Sequence, residues 1–243
     1  MERITSSQNP LLRHIRKLRN SRAYREEQRE FIADGFKLLD EALKWYPKLK
    51  TVIVSETERL PSLPNGVRCV QISASMMQSL SDMKTPQGVI FTCELPDCGE
   101  TSLSTGMLLL DRIQDPGNLG TILRTADAFG IQIVLTNGCA DPYSEKTIRA
   151  SMGAVFRTVP HRIELERVLA SDIPIAVTAL TAQATDLRQV DLRDYLVVIG
   201  SEGQGVCDHL LEVSSKQLII PMQPRCESLN AAIAAAIVMW QMK

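Results

Sequence analysis

Asn118, Arg124, Glu202 and Asn230 are the residues of this 243-residue chain whose types and settings could do chemistry. The stretch DPGNLGTILRTADAFG, residues 115–130, opens as a turn and continues at helical spacing from near Asn118. Leu119, Ile122, Leu123, Ala126 and Phe129 make its apolar stripe. Arg124 lies off that stripe. Helical side chains lean toward the helix N-terminus, and the residue four before Arg124 is Gly120, which leaves room. The guanidinium can therefore lie back toward the turn, where free helix N–H groups point outward. A cation beside a helix N-terminus favours an anion, most simply a phosphate. The plainer alternative is a surface arginine paired with Asp127 or Asp115.

Two later stretches have a similar character. LVVIGSEGQGV, residues 196–206, carries Gly200, Gly203 and Gly205 after an apolar strand. That is G-x-x-G-x-G, late in the chain, and not the G-x-G-x-x-G that follows the first strand of a dinucleotide-binding domain. A nicotinamide-dependent enzyme is therefore disfavoured. Gly200 would let a ligand approach the backbone. Glu202, held among glycines, is poorly placed for a purely structural carboxylate, although an incidental acid in a turn reads the same way. LIIPMQPRCESLN, residues 218–230, ends with Ser228 and Asn230 bracketing Leu229 before an apolar helix. Either polar residue could be only an N-cap, yet together they repeat the arrangement at Asn118.

These loops need strands and helices to hold them. The second half alternates: strands at 107–111, 131–136, 174–180, 195–200 and 217–222, with helices at 118–129, 143–151, 163–170, 205–213 and 229–242. Alternation of this kind predicts an open parallel sheet, and ligands of such sheets bind beyond the carboxyl ends of the strands. The first half reads as a small α/β unit: helix from residue 10, further helix through REEQREF, helix at 35–45, strands at 51–55, 67–72 and 88–95, and a helix at 73–81. PDCGETSLSTG, residues 96–106, has the composition of a linker. The last helix is apolar nearly all round, which predicts burial on more than one side. That means either a subunit interface or the interior of one domain.

The chain is 44% hydrophobic and 23% charged, ordinary for a globular protein with a real core. No apolar run reaches about 18 residues and the N-terminus lacks an apolar signal region, so the expectation is a cytoplasmic protein without a membrane span. The six cysteines form no C-x-x-C pair, so core thiols are expected rather than zinc. Net charge is −1, but residues 1–25 hold seven Lys/Arg against Glu2 alone. A basic end on an acidic body suits a phosphate-bearing partner, or is simply a solvated helix face.

The three stretches, DPGNLGTILRTADAFG, VVIGSEGQGV and IIPMQPRCESLNAAIAAAI, resemble in order and spacing the three motifs of the SpoU (TrmH-like) branch of the SPOUT RNA methyltransferases. ITSSQNPLLRHIRKL with FIADGFKLLDEAL resembles the L30e-like substrate-binding domain of the ribosomal-RNA members. The resemblance implies an α/β architecture in three parts: an L30e-like domain over 1–96, a linker over 97–106, and a SPOUT domain over 107–243 with a C-terminal trefoil knot. It implies homodimers, S-adenosyl-L-methionine as cofactor without a metal, and methylation of a ribose 2′-OH in structured RNA. Ribosomal RNA, most simply 23S, is favoured over transfer RNA, and a catalytically silent RNA-binding relative is the other outcome. Cofactor contacts carry over to Thr178, Ala179, Gly200, Ile220 and Leu229. The polar catalytic positions are Asn118, Arg124, Glu202, Ser228 and Asn230. RNA contacts are expected at Arg13, Arg16, Lys17 and Arg19. Two departures stand out: ADG at 33–35, where members have Glu before the glycine, and Trp240-Gln241, where an aromatic-Glu pair is common.

Overall fold

The computed structural model describes residues 1–97 and 102–243, so part of the expected linker, 98–101, lies outside the described residues. The chain forms two compact units. One comprises Met1–Asp97 together with Tyr143–Arg157, and the rest of the described chain makes the other.

The first unit begins with β1 (Glu2–Arg3), α1 (Pro10–Asn20), α2 (Arg22–Gln28), β2 (Glu30–Asp34) and α3 (Phe36–Trp45). It continues with β3 (Leu49–Ser55), β4 (Arg68–Ile72), α4 (Ala74–Leu80) and β5 (Val89–Glu94). Its mixed sheet has the order β1-β4-β3-β5-β2, with β2 and β3 antiparallel to β5. Asn9 caps α1, Pro10 takes the first helical position, and Leu12, Ile15 and Leu18 bury one stripe against Ile32, Ile53 and Ile90. The helix expected through REEQREF stops at Gln28. Arg29 adopts a left-handed conformation (φ 51°) that ends it, and Glu30 and Phe31 pass into β2. That strand is buried at all five positions, so it lacks the alternation that marks a half-exposed strand.

A downstream segment completes this unit. Residues 143–157, read from the sequence as part of the second half, carry α6 (Glu145–Ala150) and a 3₁₀ turn, Ala154–Phe156. Tyr143 and Phe156 lie 5.0 and 6.2 Å from Phe31, ring centre to ring centre. Beside them is a buried ionic cluster. Arg19 Nε donates to Glu145 Oε2 at 2.6 Å, and Arg149 Nη2 donates to Glu145 Oε1 at 2.6 Å. Asp34 is buried next to these groups and accepts from Ser81 Oγ.

Burial, and secondarily the Glu145 carboxylate, raise the Asp34 pKa above its ordinary value, against the opposing pull of Ser81, Arg19 and Arg149. The folded state therefore favours the protonated form. The stabilising contribution is full below the unfolded pKa and is lost as pH rises through the raised folded value. Asp34→Asn, which cannot ionise, should gain in melting temperature relative to the native chain as pH goes from about 4 to about 7. A melting series across pH with no divergence between the two proteins would contradict this.

The second unit holds β6 (Leu108–Asp111), α5 (Pro116–Phe129), β7 (Ile133–Leu135), β8 (His161–Arg162), α7 (Leu165–Leu169) and β9 (Ile175–Thr178). It goes on to β10 (Thr185–Asp186), β11 (Leu196–Gly200), α8 (Asp208–Val213), β12 (Lys216–Ile219) and α9 (Ala231–Gln241). All seven strands are parallel, in the order β10-β12-β9-β11-β6-β7-β8. Leu109, Val134, Val177 and Val198 bury one sheet face with Val168 and Leu210. β12 is shorter than its apolar run because Ile220 and Met222 leave the sheet. α8 starts later than its pattern because residues 201–205 are taken by a tight turn.

α9 packs against α5 and, more lightly, against β11, and it buries Ala231, Ala232, Ala235, Val238 and Met239. Ile233, Ile237 and Trp240 recur one helical turn apart and are exposed, although the Trp240 ring also lies 5.9 Å from that of Phe129 on α5. Among the described residues no helix is long and apolar enough to cross a membrane. The core-thiol reading describes Cys93 and Cys139, which are buried, but not Cys226, which is exposed.

Candidate active site

The sheet order places β12, β9, β11 and β6 side by side and parallel, so the segments leaving their carboxyl ends meet at one edge. Gly200 of β11 is in register with Asp111 of β6, so the loops carrying Glu202 and Asn118 depart from adjacent points. α5 begins two residues earlier than the apolar stripe suggests. Pro116 occupies its first position, Asp115 caps it, and the Asn118 N–H donates to Asp115 Oδ1 at 2.7 Å.

The third loop enters through Asn230, and the direction of every bond follows from that residue. Asn230 Oδ1 accepts from the N–H groups of Ala232 (2.9 Å) and Ile233 (3.3 Å), capping α9. Its Nδ2 is thereby the end left to donate, and it donates to Asn118 Oδ1 at 3.0 Å. Asn118 Nδ2 must then donate in turn, and it meets Glu202 Oε1. Only an acceptor can close such a chain, which suits an ionised carboxylate. Capping is thus half of Asn230's role, and the other half joins the three loops.

Arg124 is exposed and makes no hydrogen bond or ion pair among the described residues. The surface pairing is not formed: Asp115 is used in the cap, and Asp127 accepts from Thr158 Oγ1 at 2.9 Å. An unpaired guanidinium on the helix that also carries Asn118 is available to a ligand anion.

Below the loops lies a cavity of about 410 Å³, within the range of small-molecule sites. Thr178, Ala179, Gly200, Ile220 and Leu229 all line it, and Glu202 and Ser228 stand on its wall. The Thr178 hydroxyl is turned into the sheet, donating to the Val198 carbonyl at 3.2 Å. The wall is largely apolar with backbone edges, which suits a flat heterocycle. The Glu202 carboxylate adds negative charge that suits a cationic group. The residues fit a nucleoside cofactor bearing a positive charge. Among the described residues no cluster of three or more His, Cys, Asp or Glu could hold a metal ion.

Gly200 serves this cavity differently from the expectation. A Cβ there would sit 2.0 Å from the Gly205 carbonyl carbon and 2.1 Å from the Val206 nitrogen. Its missing side chain admits the protein's own turn. Ser201 and Gly205 exchange backbone hydrogen bonds of 3.1 and 3.0 Å across that turn.

Of the expected RNA contacts, Arg13 and Lys17 are exposed, and Lys17 also lies over the Tyr24 ring. Arg16 is half-buried and donates to the Ser7 carbonyl. Arg19 needs correction. Its side chain is 8% exposed and committed to Glu145, so it belongs to the interior of its unit. The sequence does not single out Asp111 or Arg112. Asp111 is a buried carboxylate that accepts from Thr136 Oγ1 (3.1 Å) and the Cys207 N–H (2.9 Å). The signal was available: a charge ending a strand of three leucines must find partners.

The model of the SpoU rRNA Methylase family matches residues 106–240, and that of the MRM3-like substrate binding domain matches residues 9–90. The chain is 33% identical to the 23S rRNA (guanosine(2553)-2'-O)-methyltransferase RlmP of Bacillus subtilis (strain 168), covering 100% of each. It is 31% identical to the mitochondrial rRNA methyltransferase 3 of Homo sapiens, over 92% of this chain and 69% of that one. Among solved structures, the AdoMet-bound rRNA methyltransferase from Sinorhizobium meliloti superposes with a TM-score of 0.86. The two chains are 31% identical, with coverage of 99% and 97%.

Proposed function

This chain belongs to the SpoU rRNA methylase family, and from that premise we propose that it methylates a ribose 2′-hydroxyl of ribosomal RNA, most simply 23S, with S-adenosylmethionine as donor. The observation that carries the reading is the bonded chain Glu202–Asn118–Asn230 over the lined cavity, with unpaired Arg124 on the same helix as Asn118.

The cofactor supplies a methyl group already activated on a sulfonium. Thr178, Ala179, Gly200, Ile220 and Leu229 form the wall that holds it. The remaining work is to align the hydroxyl and to manage its proton and charge. Arginine stays protonated at any working pH, so Arg124 acts as an electrostatic clamp rather than a base. It grips the neighbouring phosphate and stabilises the developing alkoxide. Asn118 and Asn230 hold the three loops in register. Glu202 anchors that chain, and Ser228 borders the ribose.

Residues 1–96, completed by 143–157, serve as the substrate-binding domain, with Arg13 and Lys17 toward RNA, and the rest of 107–243 as the methyltransferase domain with its C-terminal part knotted. Ile233, Ile237 and Trp240 on α9 provide an apolar stripe for a second copy of the chain. The protein works in the cytoplasm.

Mapping 2′-O-methylation across total RNA from cells with and without the protein tests the reading. One site in ribosomal RNA should lose its methyl group, and an unchanged map would refute it. Charge reversal at Arg13 and Lys17 should weaken RNA binding and lower the salt slope of log K by about 1 per phosphate contact removed. Equal affinity and slope in a salt titration would take these residues out of the interface.

A further inference from the structure

Arg112 places a long side chain where the backbone favours glycine. Its φ is +56°, in the left-handed region that residues other than glycine rarely adopt. A non-glycine residue is kept in such a conformation where its side chain is needed. Here the guanidinium is spread over three partners. Nε donates to Asp111 Oδ2 at 3.2 Å, Nη1 to Gln204 Oε1 at 2.9 Å, and Nη2 to the Gly205 carbonyl at 3.3 Å. The Arg112 N–H donates to Thr136 Oγ1 at 3.2 Å. The surroundings are shaped to it: a Cβ on Gly138 would come within 3.2 Å of Arg112 Cγ. Asp111, its buried ion partner, also holds the Cys207 N–H, so the C-terminal side of the turn, from Gln204 to Cys207, is tied to the end of β6.

Arg112 is not on the cavity wall, but Gln204 and Gly205, which it holds, are. The turn they close also carries Glu202. We infer that Arg112 is a positioning residue for cofactor binding: by clamping the Ser201–Gly205 turn to the carboxyl end of β6, it sets the wall of the cofactor cavity. This rests on the function proposed above. The clamp needs a forked, planar cation. A lysine could keep the Asp111 pair but could not reach two further acceptors at once.

The test uses the full chain with R112G, R112K and R112A, titrated calorimetrically with S-adenosylmethionine and with S-adenosylhomocysteine. Glycine suits the left-handed backbone, and Asp111 keeps the Thr136 hydroxyl and the Cys207 N–H, so R112G should fold with a melting temperature lowered by the lost ion pair. It should nevertheless bind both ligands about tenfold more weakly or worse, since a charged hydrogen-bond clamp is gone. R112K should melt like the native chain yet remain weakened toward both ligands. With saturating RNA and varied cofactor, the loss in R112G should appear as a raised KM for S-adenosylmethionine more than a lowered kcat. Native affinity in R112G would overturn the inference. So would a fall in affinity that only tracks a fall in melting temperature across all three variants. Hydrogen exchange reads the clamp without any ligand. The Gly205 amide, which bonds the Ser201 carbonyl, should exchange faster in R112G than in the native chain. If the native protein binds no S-adenosylmethionine, the functional reading fails. Unchanged exchange at Gly205 with cofactor binding intact sinks the positioning role alone.

Discussion

Arg124→Ala should lower the rate of methyl transfer by about 10²–10³-fold, the usual cost of losing one preorganised charge-stabilising group, while cofactor affinity stays close to native. The separation follows from geometry. Arg124 is exposed, has no partner among the described residues, and is not on the cavity wall, so its loss leaves no buried group unpaired and no cofactor contact broken. Single-turnover rates at saturating cofactor and RNA, set beside calorimetric cofactor binding, read the two effects independently. Arg124→Lys refines the result. Lysine keeps the charge but lacks the bidentate fork, and its pKa near about 10.4 lets it release a proton where arginine does not. A clamp predicts a slow lysine variant that binds RNA less tightly. A base predicts a lysine variant whose rate climbs as pH approaches its pKa. Native binding and native rates in that variant would end the clamp reading.

Gly200→Ala should abolish measurable cofactor binding. The added methyl would fall 2.0 Å from one backbone atom and 2.1 Å from another, and neither can rotate away as a side chain could. Overpacking against side chains commonly costs about 1–3 kcal/mol, and a backbone clash of this depth lies at or beyond the upper end. A loss of at least about 100-fold in affinity follows from the same figure. Gly203→Ala is the control: nothing lies within 4 Å of its Cβ position, so it should bind S-adenosylmethionine as the native chain does. Equal affinity in both variants would show that the turn can open without harm.

Much of this site could be read before any coordinates. The loops at 115–130, 196–206 and 218–230 announce themselves because each adjoins an apolar run and carries lone polar groups, beside glycines in the first two and prolines in the third. The parallel sheet then brings their ends together. What was not legible depends on contacts distant in sequence. Arg19 sits among basic residues and reads as a surface charge, until α6, more than a hundred residues later, supplies Glu145. β2 hides because both of its faces are covered, which removes its alternation. Gly200 stands out at the end of its apolar strand, yet the pressure on it comes from Gly205 and Val206, a close approach that no spacing reveals. Arg112 looks ordinary beside Asp115 and Asn118 because a left-handed φ leaves no mark on residue type.

The aromatic closure of the first unit has a consequence for how the chain is made. Phe31 and Phe91 are emitted early by the ribosome, but Tyr143 and Phe156, which stack on or beside them, emerge 49 and 62 residues after Glu94, the end of the last strand of that unit. At translation rates of about 5–20 residues per second, this is a wait of about 3–12 s. Throughout that interval the nascent unit has its basic helix and its sheet but no closure over its aromatic centre, and Arg19 has no Glu145. The unit with the basic helix is therefore not a linear cassette that could be cut after residue 97 and grafted elsewhere. Its last brick is delivered from inside its neighbour's stretch of the gene, so the two halves must be inherited, translated and exchanged together.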